Sequence, residues 1–271
     1  RVFDAAEART LTSARAPAET VAAQTTRAEG IEARADARGI STIYGETSSS
    51  ALPTFTLEAD CDDSNICTIT EPTTGLSETI DLADFSVIVD HDRAVLTKHG
   101  VTLLEGRGGD GGPDYRIYGT WMDHAGFAVE TGASGQVNGV TITLRGAQAF
   151  GDAAESNPAA DATWRGLMVG TPTRGARRDN LLQGDVELTF TAADNMVDAT
   201  FSDIKDLDRN APHTVTEVRF MNVPVTDGGY TDGTRGSGTW IEGAFGGPNH
   251  EETAGVFEQQ DIVGAYGAKK E

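Results

Sequence analysis

The chain has 271 residues, and its 42 acidic and 21 basic side chains give a formal net charge of -21 at pH 7. This charge argues against a nucleic-acid binder and against adsorption to anionic lipid, because both functions need a basic face. The 32 glycines favour strands and turns over helices. No run approaches the roughly 18 consecutive apolar residues of a membrane-spanning helix.

Residues 1–40 differ from the rest because they are rich in Ala, Arg and Glu. Interrupted by Pro17, Gly30 and Gly39, they predict a helical N-terminal arm of one or two short helices that docks on the body or on a partner. A frayed extension is the alternative. The opening residues show no leader pattern and no Cys. Either the signal of an exported precursor has been removed from this chain or the sequence was trimmed here, and lipid anchoring stays open.

Strand patterns begin near Ile43. Two of them join across Asp123 and His124 as a hairpin, and the polar, turn-rich stretch 151–161 indicates a boundary. We predict a β-rich domain over residues 41–155. Its predicted strands are 54–57, 85–89, 101–104, 115–121, 127–129 and 140–144.

The second half repeats short alternating strands with brief spacers, which is typical of a β-sandwich or barrel. We predict a second β-rich domain, a sandwich or barrel over residues 156–271, in an all-β protein. Its predicted strands are 164–169, 185–190, 197–201, 214–223, 238–245, 255–258 and 262–266. The side chains expected to fill it are Trp164, Phe190, Phe201, Phe220, Trp240, Phe245 and Phe257.

The C-terminal segment carries the most specific pattern. It contains G-x-F-x-G-P from Gly243, E-x-x-G-x-F from Glu252, and G-A-Y-G-A-K from Gly264. These motifs resemble the closing hairpins of the transferrin-binding-protein-like β-barrel family, with Tyr266 where that family usually has Phe. The segments 118–127, 164–170 and 190–204 resemble other parts of the same family. The resemblance covers about 115–271, is faint over 41–114 and is absent over 1–40.

This resemblance implies an eight-stranded antiparallel β-barrel over residues 156–271, with a handle-like domain over 41–155 before it. It also implies a surface-exposed or secreted binding protein of Gram-negative bacteria. Relatives contact their partners through loops and the handle, not through the barrel interior. The matched residues define a fold and no activity. The partner, whether a host, environmental or self protein, cannot be read from the sequence.

Two cysteines, Cys61 and Cys67, are the only ones in the chain. We predict that they form a disulfide closing a short loop, which is typical of an oxidising, extracytoplasmic compartment. Two free thiols in a reducing compartment are the alternative. The disulfide hypothesis agrees with the location that the family resemblance implies.

No cofactor is expected, but two patterns suggest possible ligand sites. Positions 1, 3, 5 and 12 of a calcium loop would be Asp60, Asp62, Ser64 and Glu71; a solvated acidic loop is the alternative. A haem iron or other ligand could be held by a loop histidine. The candidates are His91, His99 and His124.

A basic cluster, Arg174, Arg177 and Arg178, stands out in this acidic chain. It would anchor a partner's carboxylate or phosphate, with ordinary loop charge as the alternative. The G-x-G-x-x-G over 106–111 precedes a strand and not a helix, so we interpret it as a hairpin loop. No G-x-S-x-G or His-Glu-x-x-His motif is present, and we expect no enzyme.

The sequence therefore predicts a non-catalytic binding protein at the cell surface or beyond the outer membrane. One alternative is an assembly component whose N-terminal arm engages a neighbouring copy, giving an oligomer. Another is a carrier of haem or a different small ligand, which requires an open barrel mouth.

Overall fold

The structure is a computed structural model that describes residues 41–47, 55–61, 66–71, 76–81, 93–107, 116–137, 140–151, 153–234 and 236–271. Regular secondary structure in these ranges is entirely β-strand. The part of the chain so described contains no helix of the length and apolarity that crossing a membrane requires. The predicted helical arm over 1–40 and the strand predicted over 85–89 lie outside the described residues.

Nine antiparallel strands form the first sheet, in the order β4-β3-β2-β1-β9-β8-β7-β6-β5. It consists of two meanders, β1 to β4 and β5 to β9, which join where β1 pairs with β9. The strands are β1 (Ser41–Thr47), β2 (Phe55–Cys61), β3 (Ile66–Glu71), β4 (Leu76–Asp81), β5 (Arg93–Lys98), β6 (Val101–Arg107), β7 (Arg116–Trp121), β8 (Ala125–Val137) and β9 (Val140–Gly151).

The second sheet closes on itself. Its order is β11-β10-β18-β17-β16-β15-β14-β12, and β12 pairs back to β11, which makes an eight-stranded antiparallel barrel. The predicted barrel is confirmed. The strands are β10 (Ala162–Pro172), β11 (Leu182–Thr191), β12 (Met196–Asp206), β14 (Val218–Thr226), β15 (Gly229–Thr234), β16 (Thr239–Gly246), β17 (Glu252–Gln259) and β18 (Ile262–Lys270), with the short β13 (Ala211–Pro212) beside β12. The division into domains stays a prediction.

Alternation along the barrel strands decides what lies inside. In β11, Val186, Leu188 and Phe190 are buried while Glu187 and Thr189 between them are exposed, because successive side chains point to opposite faces. The inward rings interlock. Phe201 stacks on Phe257 with centroids 4.3 Å apart, and Trp164 packs on Phe245 at 4.6 Å.

Trp240 corrects one prediction, because it does not fill the barrel. Its neighbour Ile241 takes the inward position on β16 and joins the barrel core, so Trp240 points outward. There it packs into a second cluster with Tyr118 and Phe127 of the first sheet and Val256 of β17. The outer wall formed by β10, β17 and β18 is therefore covered by β8 and β9.

Polar contacts link the first sheet to the barrel beside this apolar cluster. Arg116 of β7 bonds Glu105 of β6 at 3.1 Å and Asp208, which follows β12, at 2.8 Å. Burial lowers the pKa of Arg116, but its hydrogen bond to Asp208 and the attraction of both carboxylates outweigh that effect and raise it. Tyr118 donates to Gln183 Oε1 at 2.7 Å.

Candidate functional site

The barrel interior contains one chain of hydroxyl groups among its aromatic rings. Tyr266 Oη donates to Tyr230 Oη at 2.8 Å, and Tyr230 Oη lies 2.6 Å from Thr253 Oγ1. Thr253 donates onward to the Ala244 carbonyl at 2.9 Å. Burial raises the pKa of both tyrosines well above the ordinary value. Each hydroxyl is hydrogen-bonded inside the protein, and the two tyrosines serve the packing of the barrel core.

A pocket of about 380 Å³ opens on the outside of the barrel where β14, β15 and β16 meet. Glu242 and Ala244 alternate with the inward Ile241 and Phe245, so they face outward. Small residues form most of the surface, and two carboxylates are the charged groups among the described residues that line it. The lining residues are Ala153, Ala154, Pro224, Thr226, Asp227, Gly229, Tyr230, Thr231, Glu242, Gly243 and Ala244.

The structure places Cys61 directly opposite Cys67 in the register of β2 and β3. Asp60 of the calcium hypothesis lies opposite Thr68. Glu71 is three positions beyond Thr68, about 10 Å along the strand, and pairs with Leu76 of β4. Ile66–Glu71 forms strand β3, and the calcium hypothesis stays a prediction. Asp62 and Ser64 lie outside the described residues, and no metal-ligand group is found within those that are described.

Of the three candidate histidines, His99 and His124 lie in different turns of the first sheet, and the haem or ligand role of all three stays a prediction. His91 lies outside the described residues. His99 sits exposed in the turn between β5 and β6, where its φ is 53°. His124 lies in the turn between β7 and β8, with its Nδ1 buried and without a hydrogen-bond partner.

A buried carboxylate positions the turn that carries His124. Glu252 of β17, only 1% exposed, accepts hydrogen bonds from the backbone N–H groups of Asp123 and His124 at 2.8 Å and of Ala125 at 3.1 Å. Lys269 lies 3.4 Å from Glu252 and 2.7 Å from Asp123. The arrangement fixes the first sheet against the barrel and leaves the His124 turn with a structural role.

The basic cluster lies in the turn between β10 and β11. Arg174 pairs with Asp261 at 3.4 Å, and both side chains are exposed. The backbone N–H of Arg178 donates to Gly175, and the Arg177 carbonyl accepts from Asn180. These backbone hydrogen bonds belong to the turn itself. Partner binding by the three arginine side chains stays a prediction.

The pocket on the outer barrel wall was not predicted, because β15 was not predicted. A usable signal was present: Asp227-Gly228 is a two-residue hairpin turn in which both residues have positive φ, at 51° and 77°. Pro224 within the run of β14 was a second signal, since a proline inside a strand marks an edge or an interruption.

No protein-family profile matches the chain, and no curated protein matches it. Among solved structures it is similar to a transferrin binding protein B from Haemophilus parasuis, at 14% identity and a TM-score of 0.41, over 80% of this chain and 54% of that one. It is also similar to the N-lobe of lactoferrin binding protein B from Moraxella bovis, at 14% identity and a TM-score of 0.40, over 86% and 99% of the two chains.

Transferrin binding protein B from Neisseria meningitidis is a third similar structure, at 13% identity and a TM-score of 0.37, over 83% of this chain and 55% of that one. The chain spans about half the length of several of the transferrin binding protein B structures it is similar to. At such identities and TM-scores the similarity does not define a function, and the fold described above rests on strand order and register.

Proposed function

We propose that the protein is a non-catalytic, extracytoplasmic binding protein that holds a macromolecular partner on its outer surface. One observation carries this proposal: the barrel interior is filled by interlocking aromatic rings whose hydroxyl groups bond one another. Binding by a filled barrel takes place on its outside, where the strands of one wall carry exposed side chains.

The filled interior distinguishes this protein from a carrier with a central cavity. Phe201, Phe257 and Tyr266 meet at centroid distances of 4.3 to 6.5 Å, and each is fully buried. Removing any of these rings would leave a cavity that costs stability. A haem or a similar ligand would therefore have to bind at a loop and not in the barrel.

An extracytoplasmic location is supported by the register that sets Cys61 opposite Cys67. Directly paired residues of antiparallel strands have Cα separations of about 4.5–5.5 Å, within the range that a disulfide spans. The C-terminal motifs resemble those of surface and secreted proteins. Placement at the cell surface or in the medium follows as part of the proposal.

The experiment is native mass spectrometry of the protein isolated from its own source, with binding assays against transferrin and lactoferrin as first probes. A complex with a protein partner, with cross-links on the exposed side of β11, β12 and β14, is the expected result. A monomer that carries a small ligand of a few hundred daltons would contradict the proposal. A regular oligomer of bare chains would favour the assembly role instead.

A further inference from the structure

The first sheet has a second face, which is turned away from the barrel. On β7 and β8, Tyr118, Phe127 and Val129 join the apolar cluster against the barrel. Because successive residues of a strand point to opposite faces, Ile117 and Ala128 point the other way. We call this side the far face of the first sheet. By the register of β6 to β9 it also carries Leu104, Trp121 and Gln148.

The far face is buried, although the barrel lies on the other side of the sheet. Leu104, Ile117 and Ala128 are fully buried, Gln148 is 1% exposed and Trp121 is 4% exposed. The first three belong to neither apolar cluster of the described residues. The barrel strands β10, β17 and β18 pack against the opposite side of β8 and β9. The cover of the far face is therefore to be sought outside the described residues.

Two polar atoms on the far face indicate the chemistry of its cover. Trp121 Nε1 and Gln148 Oε1 are buried and have no hydrogen-bond partner. The amide nitrogen of Gln148 already donates to Glu130, so the amide oxygen needs a separate donor. Buried polar groups without partners are rare in folded proteins, because each one costs the free energy of its lost hydration. A polypeptide segment with polar side chains among apolar ones offers both the acceptor and the donor.

We propose that residues 1–40 of the same chain, the predicted helical arm, cover the far face, with a helix between Pro17 and Gly30 lying across β9, β8, β7 and β6. This inference goes beyond the proposed function, because it assigns the arm to the protein's own first sheet. An arm used in this way is not available to a neighbouring copy. The assembly role would then lose the contact on which it depends.

The arm joins the sheet at a point that brings it to the far face. It ends next to Ser41, the first residue of β1, and Ser41 is the register partner of Gln148 on β9. The chain therefore leaves the sheet beside one of the two unpaired atoms. β9 and β6 are three strand spacings apart, about 14 Å. A helix over residues 18–29 would be about 18 Å long, which is enough to span that distance.

The predicted helix has an apolar side that suits a buried sheet face. Small apolar residues fall on one side of a helix with 3.6 residues per turn, and they are Ala18, Val21, Ala22 and Ala28. Such small side chains allow a helix to lie close to the larger Ile117 and Trp121 of the sheet. The six arginines of the arm cancel the charge of its six acidic residues. The strongly acidic remainder of the chain therefore does not repel it.

The test compares two variants of the full chain with the parent by NMR. Val21→Asp puts a charge on the apolar side of the predicted helix, and Thr20→Asp, the matched control, puts the same charge on its polar side. We expect Val21→Asp to speed hydrogen exchange of the Trp121 indole N–H about tenfold, because a buried apolar contact is lost, and Thr20→Asp to leave it unchanged. In the parent, nuclear Overhauser contacts should join this indole to methyl groups of the arm. The Trp164 indole, which donates to the His250 carbonyl in the barrel, should stay the same in all three proteins and reports that the barrel is folded.

Equal exchange rates in the two variants, or a Trp121 indole without contacts to the arm, would overturn the inference. Contacts between differently labelled chains in a mixed sample would mean that the arm of a second copy covers the face, which also overturns it. So would an indole that responds to Phe85→Ser, in the connection 82–92, and not to Val21→Asp. None of these outcomes bears on binding at the outside of the barrel, which the mass-spectrometric experiment tests separately.

Discussion

Gly243 of β16 lies against the ring of its register partner Tyr230, so closely that a Cβ on Gly243 would stand 2.5 Å from Tyr230 Oη. The absent side chain lets the ring pass under the β16 backbone and reach Thr253 and Tyr266. A glycine in this strand therefore makes the hydroxyl chain of the barrel interior possible.

Gly243→Ala should destabilise the barrel by about 1–3 kcal/mol, the usual cost of overpacking, because the ring of Tyr230 is fixed by two hydrogen bonds and cannot move aside cheaply. Urea denaturation measures the change. Gly229→Ala is the control on the facing strand: a Cβ there meets only carbonyl oxygens at 3.6 and 3.7 Å, so its stability should stay close to that of the parent. Equal losses in both variants would contradict the packing argument.

Stability should fall in alkaline solution through the two buried tyrosines. Burial raises the pKa of Tyr230 and Tyr266 in the folded protein, while an unfolded tyrosine titrates near pH 10. A raised folded pKa gives stability that is complete below about pH 10 and is lost as the pH rises toward the folded pKa. Denaturation at pH 7 and about pH 11, with tyrosinate absorbance, measures this loss.

Tyr230→Phe tests the Tyr230 hydroxyl both as a hydrogen-bond partner and as a group that titrates at alkaline pH. At pH 7 it should cost about 1 kcal/mol, because Tyr266 and Thr253 lose a hydrogen-bond partner. The alkaline loss should become shallower, since one buried group no longer titrates. A variant with the full alkaline slope of the parent would show that other groups cause it.

Glu252→Gln should loosen the turn between β7 and β8. The carboxylate accepts three backbone hydrogen bonds there, and the amide of Gln would present a donor to donors. We expect a loss of about 1.5–3 kcal/mol, typical of hydrogen bonds to a charged group, and faster hydrogen exchange at Asp123, His124 and Ala125. Glu187→Gln is the control: this exposed carboxylate of β11 pairs with Arg165 on the surface, and its loss should leave these amides protected.

The strands of the second half could be predicted because they repeat a period of two with apolar residues on one face, as in Val186, Leu188 and Phe190. Closure into a barrel was implied by the resemblance of the C-terminal motifs. Phe245, Phe257 and Tyr266 are inside as the C-terminal motifs indicated. Trp240 was misplaced because periodicity identifies two faces of a strand and does not say which one a second sheet will cover. Only the tertiary packing of β8 and β9 shows that the outer face is buried as well.

The pocket on the outer barrel wall was not predicted for a different reason. β15 reads Gly-Tyr-Thr-Asp-Gly-Thr and has a single buried ring, Tyr230, so its hydrophobic pattern is too weak to indicate a strand. Its place in the barrel is decided by β16, with which it pairs throughout. This long-range pairing cannot be recognised from the sequence of β15 itself. Pro224 in β14 is a local signal, since a proline inside a strand marks an interruption.

Replacing Arg116 by Met should lower the stability of the protein, whereas replacing Arg165 by Met should not. Arg116→Met removes the partner of Glu105, whose side chain is 5% exposed, and should cost about 2 kcal/mol through the carboxylate left behind in the interface. Arg165→Met breaks contacts with Glu187 and Glu271 on the surface, where water and salt screen the charges, and should cause no measurable change. Thermal denaturation of both variants at low and high salt checks this contrast.

Cys61 and Cys67 should be joined in the protein isolated from its own source. Because they face each other in register, a disulfide can form without moving the strands. We expect the unreduced chain to be lighter by two hydrogens than the reduced one and to contain no thiol that reacts after unfolding. Reduction should cost about 2 kcal/mol, as a short closed loop implies. Cys61→Ser with Cys67→Ser should reproduce that loss. Two reactive thiols in the native preparation would contradict the disulfide and remove one support for an extracytoplasmic location.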